Sequence, residues 1–323
     1  MIKPAYYLDR LNESGINFFA GVPDSLLKEF CACVSHNYGS DSHMITSNEG
    51  AAIGLGIGYY LGTGNVPMIY LQNSGLGNII NPVLSLASEK VYGIPMLIMV
   101  GWRGEPGVKD EPQHVHQGKV MIGSLEEMNL PYVVLSLDEK KAVEQTQNAL
   151  SLARDKMSPV IIVVRKNSFE DFPEEKPQCD LELSREDAII TVAKMLPEKS
   201  VVVCTTGMPS RELFEYRANN NQGHYRDFLS VGGMGHASQI ALGLCMAQPK
   251  RPTYCFDGDG ATLMHMGSLA IIGQSSAVNF THVVFNNGVH DSVGGQPTVG
   301  FGVDFCGIAK ACGYVSAVEV HSY

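Results

Sequence analysis

The sequence has few positive charges, and this shortage narrows the classes of partner that the protein can bind. Its 23 lysines and arginines are outnumbered by 33 aspartates and glutamates, which leaves a formal net charge of -10. Nucleic acids and membrane surfaces are polyanionic and select proteins with a basic field. We therefore expect no nucleic-acid or membrane partner, and any anionic ligand must be met by local positive groups.

The N-terminus lacks a long apolar run, and the cysteines lack close spacing. Lys3, Asp9 and Arg10 interrupt the first ten residues, so this segment does not resemble the core of a signal peptide or a membrane span. The 8 cysteines form no C-x-x-C pair. We interpret them as free thiols in a cytoplasmic protein, with a zinc site as the weaker alternative. They are Cys31, Cys33, Cys179, Cys204, Cys245, Cys255, Cys306 and Cys312.

Charge and hydropathy patterns divide the chain into two α/β domains. A chain of 323 residues with 45% apolar residues is long enough for about two domains. In residues 1–166, short β-rich runs alternate with helix-like stretches, which is typical of βαβ units around a parallel sheet. Residues 167–183 are acidic, contain two prolines and show no apolar period, so we predict a linker there. Residues 184–323 repeat the alternation and predict a second domain.

The pattern also places individual elements. Predicted strands cover residues 17–20, 67–71, 95–100, 132–135, 159–164, 200–204, 252–256 and 281–285. Predicted helices cover residues 25–34, 138–154 and 188–196, and Ser184 with Asp187 resembles a capping pair for the last of these. A strand-like run at residues 314–320 ends the pattern without a closing helix. We therefore expect the second domain to be incomplete at its C-terminal end.

The strongest motif is Asp257-Gly258-Asp259-Gly260, which lies between a predicted strand and a helix-like stretch and is followed further on by Asn286-Asn287. Glycines in such a turn let backbone amides approach a phosphate, and a helix N-terminus adds a favourable dipole. Mg²⁺ takes one or two carboxylates and completes its shell with phosphate oxygens and water. A glycine turn and an unrelated asparagine pair explain each part alone, but their ordered combination favours a metal–phosphate site.

This order of motifs resembles the signature of the thiamine-diphosphate enzymes. The resemblance implies that Mg²⁺ is bound by Asp259, by the side chain of Asn286 and by the backbone carbonyl of Gly288, and that Mg²⁺ in turn holds the diphosphate. It further implies that Gly258 and Gly260 lie against the cofactor.

The segment Gly232-Gly233-Met234-Gly235-His236 matches the part of the family that faces the aminopyrimidine. The resemblance implies that the Gly232 carbonyl accepts a hydrogen bond from the 4'-amino group and that Met234 supports the bent cofactor. Taken alone, Met234 is better explained as core packing.

Glu49 is the predicted acid beside the pyrimidine nitrogen. It lies in the segment S-N-E-G-A-A, between a strand-like run and a helix of small residues, where close packing should remove water from its carboxyl group. A helix-starting glutamate stabilised by the dipole is the alternative. The resemblance favours the catalytic role, because the family has a glutamate in the same strand-to-helix context.

Further motifs extend the resemblance over nearly the whole chain, and they indicate the thiamine-diphosphate-dependent 2-keto acid decarboxylases, most closely those that act on phosphonopyruvate. The motifs are G-V-P-D-S (21–25), Q-N-S-G-L-G-N (72–78), G-W-R-G-E-P-G (101–107), D-E-P-Q-H (110–114) and N-N-G-V-H-D-S-V-G-G-Q-P-T (286–298). The implied activity is a carboxy-lyase reaction that yields phosphonoacetaldehyde and CO₂ in phosphonate biosynthesis. No side chain is an adequate electron sink for this reaction, whereas the cofactor is.

Two alternatives remain open. Sulfopyruvate or another 2-keto acid is the nearer one, because residues 72–78 are similar in sulfopyruvate decarboxylases. A non-catalytic cofactor-binding subunit is the distant one, and loss of the glutamate or of the metal ligands would indicate it.

The substrate's second anionic group should be bound by the Gly/Pro-rich loop 101–118, which follows a predicted strand. The basic residues of this loop are Arg103, Lys109, His114 and His116. Arginine can donate two parallel hydrogen bonds to a phosphonate, and the resemblance adds Ser25 as a substrate contact. Ion pairs with acidic residues of the same loop explain these basic residues equally well. Arg211 is a weaker candidate, because a surface salt bridge explains it.

An aldehyde product requires protonation of the acyl carbon, and Asp24, His114 and His290 are the candidates for this proton relay. The complete hypothesis is an α/β protein of two three-layer domains with mainly parallel sheets, the thiamine-diphosphate-binding fold. Residues 1–166 would bind the pyrimidine and residues 184–323 the diphosphate. In the resembled family these halves meet between subunits, which implies a homodimer or higher homo-oligomer with the active site at the interface.

Overall fold

A computed structural model describes residues 1–173 and 181–322 of the chain. The chain divides into two compact units, Met1–Lys176 and Pro177–Tyr323. The division falls within the predicted linker 167–183, of which residues 174–180, including Cys179, lie outside the described residues. The seven described cysteines are unpaired. Among the described residues, no helix has the length and apolar character needed to cross a membrane.

Unit 1 contains a six-stranded parallel sheet with the order β2-β1-β3-β4-β6-β5. Its strands are β1 (Phe19–Gly21), β2 (His43–Ile45), β3 (Met68–Gln72), β4 (Met96–Gly101), β5 (Tyr132–Val134) and β6 (Pro159–Val164). Its helices are α1 (Pro4–Glu13), α2 (Lys28–Asn37), α3 (Glu49–Thr63), α4 (Leu76–Pro82), α5 (Pro112–Glu127) and α6 (Glu139–Lys156). A 3-10 turn, Asn73–Gly75, precedes α4, and a π-turn, Val83–Ala87, follows it.

The sheet of unit 1 is buried on both faces, which explains why β4 and β6 are continuous apolar runs. One face packs on α1, α2 and α6 in a cluster that includes Tyr70, Met99 and Ile162. The other face packs on α3, α4 and α5 in a cluster that includes Ile98 and Val163. Unit 1 therefore has the three layers that the sequence predicts.

Unit 2 contains a four-stranded parallel sheet with the order β10-β9-β7-β8 and a small antiparallel pair, β11 and β12. Its strands are β7 (Val201–Cys204), β8 (Asp227–Leu229), β9 (Thr253–Gly258), β10 (Phe280–Phe285), β11 (Val289–His290) and β12 (Gln296–Pro297). Its helices are α7 (Arg185–Met195), α8 (Met208–Asn219), α9 (Ala237–Ala247), α10 (Asp259–Met264), α11 (Gly267–Gly273) and α12 (Phe305–Cys312). Two 3-10 turns, Asp291–Val293 and Gly300–Gly302, lie between β11 and α12.

Helices cover both faces of the main sheet of unit 2. On one face, Ile189 of α7 and Leu213 of α8 share a core with Val202 and Phe256. On the other face, α9 packs on Val203 and Cys255. Ser184 caps α7 as predicted, because its hydroxyl accepts a hydrogen bond from the Asp187 amide at 3.1 Å. The predicted α/β class with mainly parallel sheets is confirmed in both units.

Each of the eight predicted strands between residues 17 and 285 overlaps an observed strand. Strands β8, β11 and β12 were not predicted, and β2 was indicated only as a strand-like run before Glu49, without bounds. Both β2 and β8 lie at an edge of their sheet and have only three residues with partly exposed side chains. The sequences H-M-I and D-F-L show no sustained apolar run, because an edge strand need not be buried on both faces. The start of the predicted linker packs on unit 1, since the buried Phe169 stacks on Phe30 at 5.6 Å between ring centroids.

The strand predicted at residues 314–320 is wrong. All residues of this run are described and form no strand, and the side chains of Val315, Val318 and Val320 are exposed. Valine favours a strand only where a neighbouring strand and a packing surface receive its side chain. Neither is present beside these residues in the part of unit 2 that is described.

Candidate active site

The predicted site residues of unit 1 follow four adjacent parallel strands. Asp24 follows β1, Glu49 follows β2, residues 73–78 follow β3 and Arg103 follows β4, and the sheet order is β2-β1-β3-β4. The carboxyl ends of parallel strands share one edge of the sheet, where ligands bind in open α/β proteins. Residues that are far apart in the sequence are therefore brought to the same edge.

Glu49 begins α3 and is only 6% exposed. The helix begins here because the Asn48 side chain accepts a hydrogen bond from the Ala51 amide at 2.9 Å. One carboxyl oxygen of Glu49 accepts a hydrogen bond from Asn78 Nδ2 at 2.6 Å. The other oxygen lies 2.3 Å from the point where a Cβ atom on Gly75 would stand. Asn78 and the bare backbone of Gly75 thus fix the orientation of the carboxyl group.

Asp24 is completely buried behind the same sheet edge. Its carboxylate accepts hydrogen bonds from Gln72 Nε2 at 2.6 Å and from the Leu26 amide at 3.2 Å. Burial raises the pKa of Asp24, and the Gln72 hydrogen bond and the Arg103 charge oppose this rise. A Cβ atom on Gly101 would stand 1.9 Å from Asp24 Oδ2, so this position of β4 accommodates only glycine. A buried carboxyl group with a raised pKa at a sheet edge is typical of functional sites.

Arg103 directs its guanidinium group at a carboxylate of its own loop. Its Nε and Nη2 atoms donate to the two oxygens of Asp110 at 2.8 and 2.5 Å, and Nη1 donates to Ser25 Oγ at 2.8 Å. The guanidinium group holds the pKa of Asp110 well below its usual range. Arg103 therefore forms the ion pair that is the alternative to substrate binding. It also contacts Ser25, the predicted substrate residue.

The other basic residues of the loop lie differently. Lys109 and His116 are exposed, whereas His114 is half-buried, and burial followed by the Arg103 charge lowers its pKa. The loop is fixed on α5, because the positions for Cβ atoms on Gly104 and Gly118 lie within 2.0 Å of backbone oxygens. Arg211 is exposed near the start of α8.

In unit 2, Asp259 and Asn286 follow the adjacent strands β9 and β10. Asp259 is 2% exposed. Asp259 Oδ2 and Asn286 Oδ1 each lie 2.5 Å from the point where a Cβ atom on Gly300 would stand. The two oxygen atoms therefore converge on the backbone of Gly300, and a carboxylate and an amide oxygen are donors of the kind that Mg²⁺ prefers, so the residue types fit a hard cation. Burial raises the pKa of Asp259, and a hydrogen bond from the Thr298 hydroxyl opposes this rise.

The remaining predicted ligand, the Gly288 carbonyl, accepts a hydrogen bond from the Thr298 amide at 2.8 Å. A carbonyl oxygen has two lone pairs, so this bond leaves one for a cation. Helix α10 has only six residues, so its dipole is weaker than the motif predicts. Any phosphate at this turn would be held chiefly by a cation, because the Gly258 amide already donates a hydrogen bond to Asp257 Oδ1 at 3.1 Å.

His290 and Met234 lie against the turn that contains Asp259. A Cβ atom on Gly260 would stand 2.9 Å from His290 Cε1 and 3.2 Å from Met234 Cε. Burial lowers the pKa of His290 to about 4, so the imidazole is neutral at pH 7. Gly232 is exposed in the loop after β8. The structure thus brings together His290, Met234 and Gly260, which the sequence predicts as parts of one site.

Several residues of the site have no role in the sequence interpretation. Gln72 and Asn78 lie in the motif Q-N-S-G-L-G-N, and Thr298 ends the motif that begins at Asn286. These motifs carried the resemblance, but no side chain in them was assigned a bond to Asp24, Glu49 or Asp259. These residues carry hydrogen-bond donors within the two motifs, and this is the sequence signal that could have identified them.

Comparisons with known proteins identify a family domain in each of the two units. The family described as thiamine pyrophosphate enzyme, N-terminal TPP binding domain, matches residues 5–128, and the corresponding C-terminal TPP binding domain matches residues 205–323. Phosphonopyruvate decarboxylase of Streptomyces viridochromogenes is 34% identical over 97% of this chain and 81% of that protein. The phosphonopyruvate decarboxylase of Streptomyces hygroscopicus is 34% identical over 97% of this chain and 80% of its own length. Sulfopyruvate decarboxylase of Methanosarcina acetivorans is 29% identical over 98% of this chain and 84% of that protein.

The chain belongs to the thiamine-diphosphate-dependent 2-keto acid decarboxylases, a family of carboxy-lyases.

The Arg103–Asp110 pair should stabilise the folded protein in a pH-dependent way. We expect Asp110→Asn to lower the free energy of unfolding at pH 7 by about 1–3 kcal/mol. Because the folded-state pKa of Asp110 is depressed, this stabilisation is present above the ordinary aspartate pKa of roughly 4 and is lost as the pH falls through the folded value. Urea unfolding of both proteins between pH 8 and pH 3 measures the difference, which should be constant above about pH 5 and shrink below roughly pH 4. A difference of zero at pH 7 would contradict the prediction.

Proposed function

We propose that the protein decarboxylates 3-phosphonopyruvate to phosphonoacetaldehyde and CO₂ in the cytoplasm, as a step of phosphonate biosynthesis, with thiamine diphosphate and Mg²⁺ as cofactors. The convergence of Asp259 Oδ2 and Asn286 Oδ1 beside the glycine turn is the observation that carries the cofactor assignment. The 34% identity to two phosphonopyruvate decarboxylases supports the choice of substrate.

The cofactor supplies the electron sink for the pair of electrons that loss of CO₂ leaves on the acyl carbon. The protein must hold that cofactor, orient the acid and manage protons. Asp259, the Asn286 side chain and the Gly288 carbonyl would hold Mg²⁺, and Gly258 and Gly260 would lie at the diphosphate. Met234 and the Gly232 carbonyl would support the aminopyrimidine.

Glu49 would share a proton with the pyrimidine nitrogen. Its burial and its 2.6 Å hydrogen bond from Asn78 keep the carboxyl group in one orientation, which is what proton exchange with a fixed partner requires. For protonation of the acyl carbon, His290 beside Gly260 is the candidate in unit 2. Since its pKa of about 4 leaves it neutral at pH 7, it would belong to the proton relay as a hydrogen-bonding group that orients a donor, and it would not supply the proton as imidazolium. Asp24 and His114 are the candidates in unit 1.

An exposed apolar face on unit 1 supports a homodimer or larger homo-oligomer. Leu61 at the end of α3, Ile80 of α4, and Leu84 and Leu86 of the π-turn are all exposed. Large apolar side chains exposed on successive elements favour a protein–protein contact. In such an assembly, unit 1 of one subunit and unit 2 of another would each contribute half of an active site.

A substrate panel tests the proposed activity directly. Purified protein with Mg²⁺ and thiamine diphosphate is given phosphonopyruvate, sulfopyruvate or pyruvate, and CO₂ and the aldehyde are measured. We expect the highest kcat/KM with phosphonopyruvate. Preference for sulfopyruvate would favour the second candidate function, which the 29% identity to the Methanosarcina enzyme supports. Binding of cofactor without turnover of any acid would indicate a non-catalytic subunit.

Glu49→Gln should leave folding and cofactor binding intact and remove most of the turnover. The amide keeps the shape and the contact with Asn78 but cannot share a proton. Circular dichroism, the Kd of thiamine diphosphate and kcat with phosphonopyruvate measure these three properties. Glu144→Gln, an exposed glutamate on α6, is the control and should be indistinguishable from the wild type. Wild-type kcat in Glu49→Gln would refute the assignment.

Asp259→Ala should weaken cofactor retention and make activity depend steeply on added Mg²⁺, because one of two converging oxygen ligands is removed. Activity and bound thiamine diphosphate are measured across a Mg²⁺ titration. The control is Glu215→Ala, which removes an exposed carboxylate from α8 of the same unit. Superimposable titration curves for Asp259→Ala and the wild type would show that the G-D-G turn is not a metal site.

Arg103 should distinguish phosphonopyruvate from pyruvate, because only the former carries a phosphonate for its guanidinium group. Arg103→Ala should lower kcat/KM for phosphonopyruvate by roughly tenfold to a hundredfold more than for pyruvate. Arg103→Lys should recover only part, since an ammonium group lacks the paired geometry.

Asp110→Asn is the matched control for Arg103, because it disrupts the same ion pair but keeps the guanidinium group. If it lowers kcat/KM for both acids as much as Arg103→Ala does, Arg103 maintains the loop and does not bind substrate.

A further inference from the structure

A hydrogen-bond chain of three polar side chains, from the half-buried Tyr314 to the buried Asp257, leads from the end of α12 to the G-D-G turn of unit 2. The Tyr314 hydroxyl lies 3.3 Å from His282 Nδ1, and His282 Nε2 lies 3.4 Å from Asp257 Oδ2. The other oxygen of Asp257 accepts a hydrogen bond from the Gly258 amide at 3.1 Å. The sequence interpretation assigned Asp257 no separate role and left His282 and Tyr314 unassigned.

All donors and acceptors in this hydrogen-bond chain find partners in one arrangement, in which the imidazole of His282 is neutral. Tyr314 donates its hydroxyl proton to His282 Nδ1, His282 donates its Nε2 proton to Asp257, and Asp257 accepts from Gly258. Burial raises the pKa of Tyr314, so its hydroxyl group keeps the proton that it donates. Asp257 is 1% exposed, and a carboxylate this deeply buried is tolerated only when donors reach it.

The hydrogen-bond chain ends at the residues that would face the cofactor. Gly258 is the N-cap of α10, and Asp259 is its first residue. Asp257 thus fixes the backbone immediately before the metal-binding carboxylate. Because Asp257 lies on β9 and His282 on the adjacent β10, the contact also ties the turn after β9 to the strand that leads to Asn286.

The other end of the hydrogen-bond chain, at Tyr314, is anchored independently of the cofactor. The Cys312 carbonyl at the end of α12 accepts a hydrogen bond from Gln274 Nε2 at 2.9 Å. A Cβ atom on Gly273 would stand 2.3 Å from the same carbonyl, so α11 and α12 meet in close backbone contact. Tyr314 therefore approaches His282 from a fixed position.

We propose that Tyr314, His282 and Asp257 form a positioning network that holds the G-D-G turn in the conformation that binds diphosphate and metal. The proposal rests on the proposed function, because it assigns these residues a task in cofactor binding. None of the three touches the reacting atoms, so each acts through the Gly258–Asp259 backbone. A metal ion held by Cys255, Asp257 and His282, whose ligand atoms lie within 4.8 Å of one another, is the competing explanation of the cluster.

The experiment compares Tyr314→Phe, His282→Leu and His282→Gln with the wild-type protein. The Kd of thiamine diphosphate in the presence of Mg²⁺ is measured by calorimetry, and kcat is measured at saturating cofactor. We expect Tyr314→Phe to raise the Kd by about three- to tenfold, the effect of one neutral hydrogen bond. His282→Leu should raise it by about tenfold to a hundredfold, because Asp257 loses its side-chain donor. His282→Gln should recover much of the affinity, since its amide can donate to Asp257.

The kinetic split and a control variant separate positioning from general damage to the core. kcat at saturating cofactor should stay within about threefold of the wild type in Tyr314→Phe, because binding energy and not chemistry is lost. Cys255→Ala removes a buried neighbour of Asp257 that is outside the hydrogen-bond chain, and its Kd should match that of the wild type.

Three results would overturn the proposal. These are an unchanged Kd in both Tyr314→Phe and His282→Leu, an equal rise of the Kd in Cys255→Ala, and stoichiometric zinc in the wild type that His282→Leu and Cys255→Ala both lose. Failure of the wild type itself to bind thiamine diphosphate would overturn the proposed function and this network together.

Discussion

Buried carboxylates at the carboxyl ends of two parallel sheets are the constraint on which the rest of the site depends. Glu49 and Asp24 in unit 1 and Asp257 and Asp259 in unit 2 are each almost inaccessible to water. A carboxylate in such a place is costly unless donors replace the lost water. Each one therefore requires a specific partner, and these partners determine much of the sequence around the strand ends.

The same constraint explains why glycine occupies several positions near the strand ends of this chain. At Gly75, Gly101 and Gly300, a Cβ atom would stand within 2.5 Å of a carboxylate oxygen, a distance that no side chain tolerates. The glycines are present because the carboxylates are close and not because these turns need conformational freedom, since none of the three has a positive φ. A backbone without a side chain leaves room for a ligand to approach the same oxygens.

The fold could be predicted from the sequence because long buried strands such as β4 and β6 are unambiguous apolar runs. The bounds of the edge strand β2 and the existence of β8 could not, since three partly exposed residues carry too little pattern. The run at residues 314–320 has the composition of a strand, but its surroundings give it nothing to pair with. Composition describes what a segment can do, whereas the neighbouring elements decide what it does.

The candidate site shows the same limit at the level of single side chains. The motifs identified Asp259 and Asn286 as neighbours, and the adjacency of β9 and β10 is the reason that they are. The orientation of Arg103 could not be predicted, because its guanidinium group could bind either an anionic substrate group or the acidic residue Asp110 of the same loop. In the structure the guanidinium group donates hydrogen bonds from two nitrogen atoms to Asp110 and from the third to Ser25. In a chain with a net charge of -10, this pairing keeps a cation rigid at the sheet edge. An anionic substrate group that replaces the Ser25 contact would meet an arginine already held in place, and so would lose less side-chain entropy on binding.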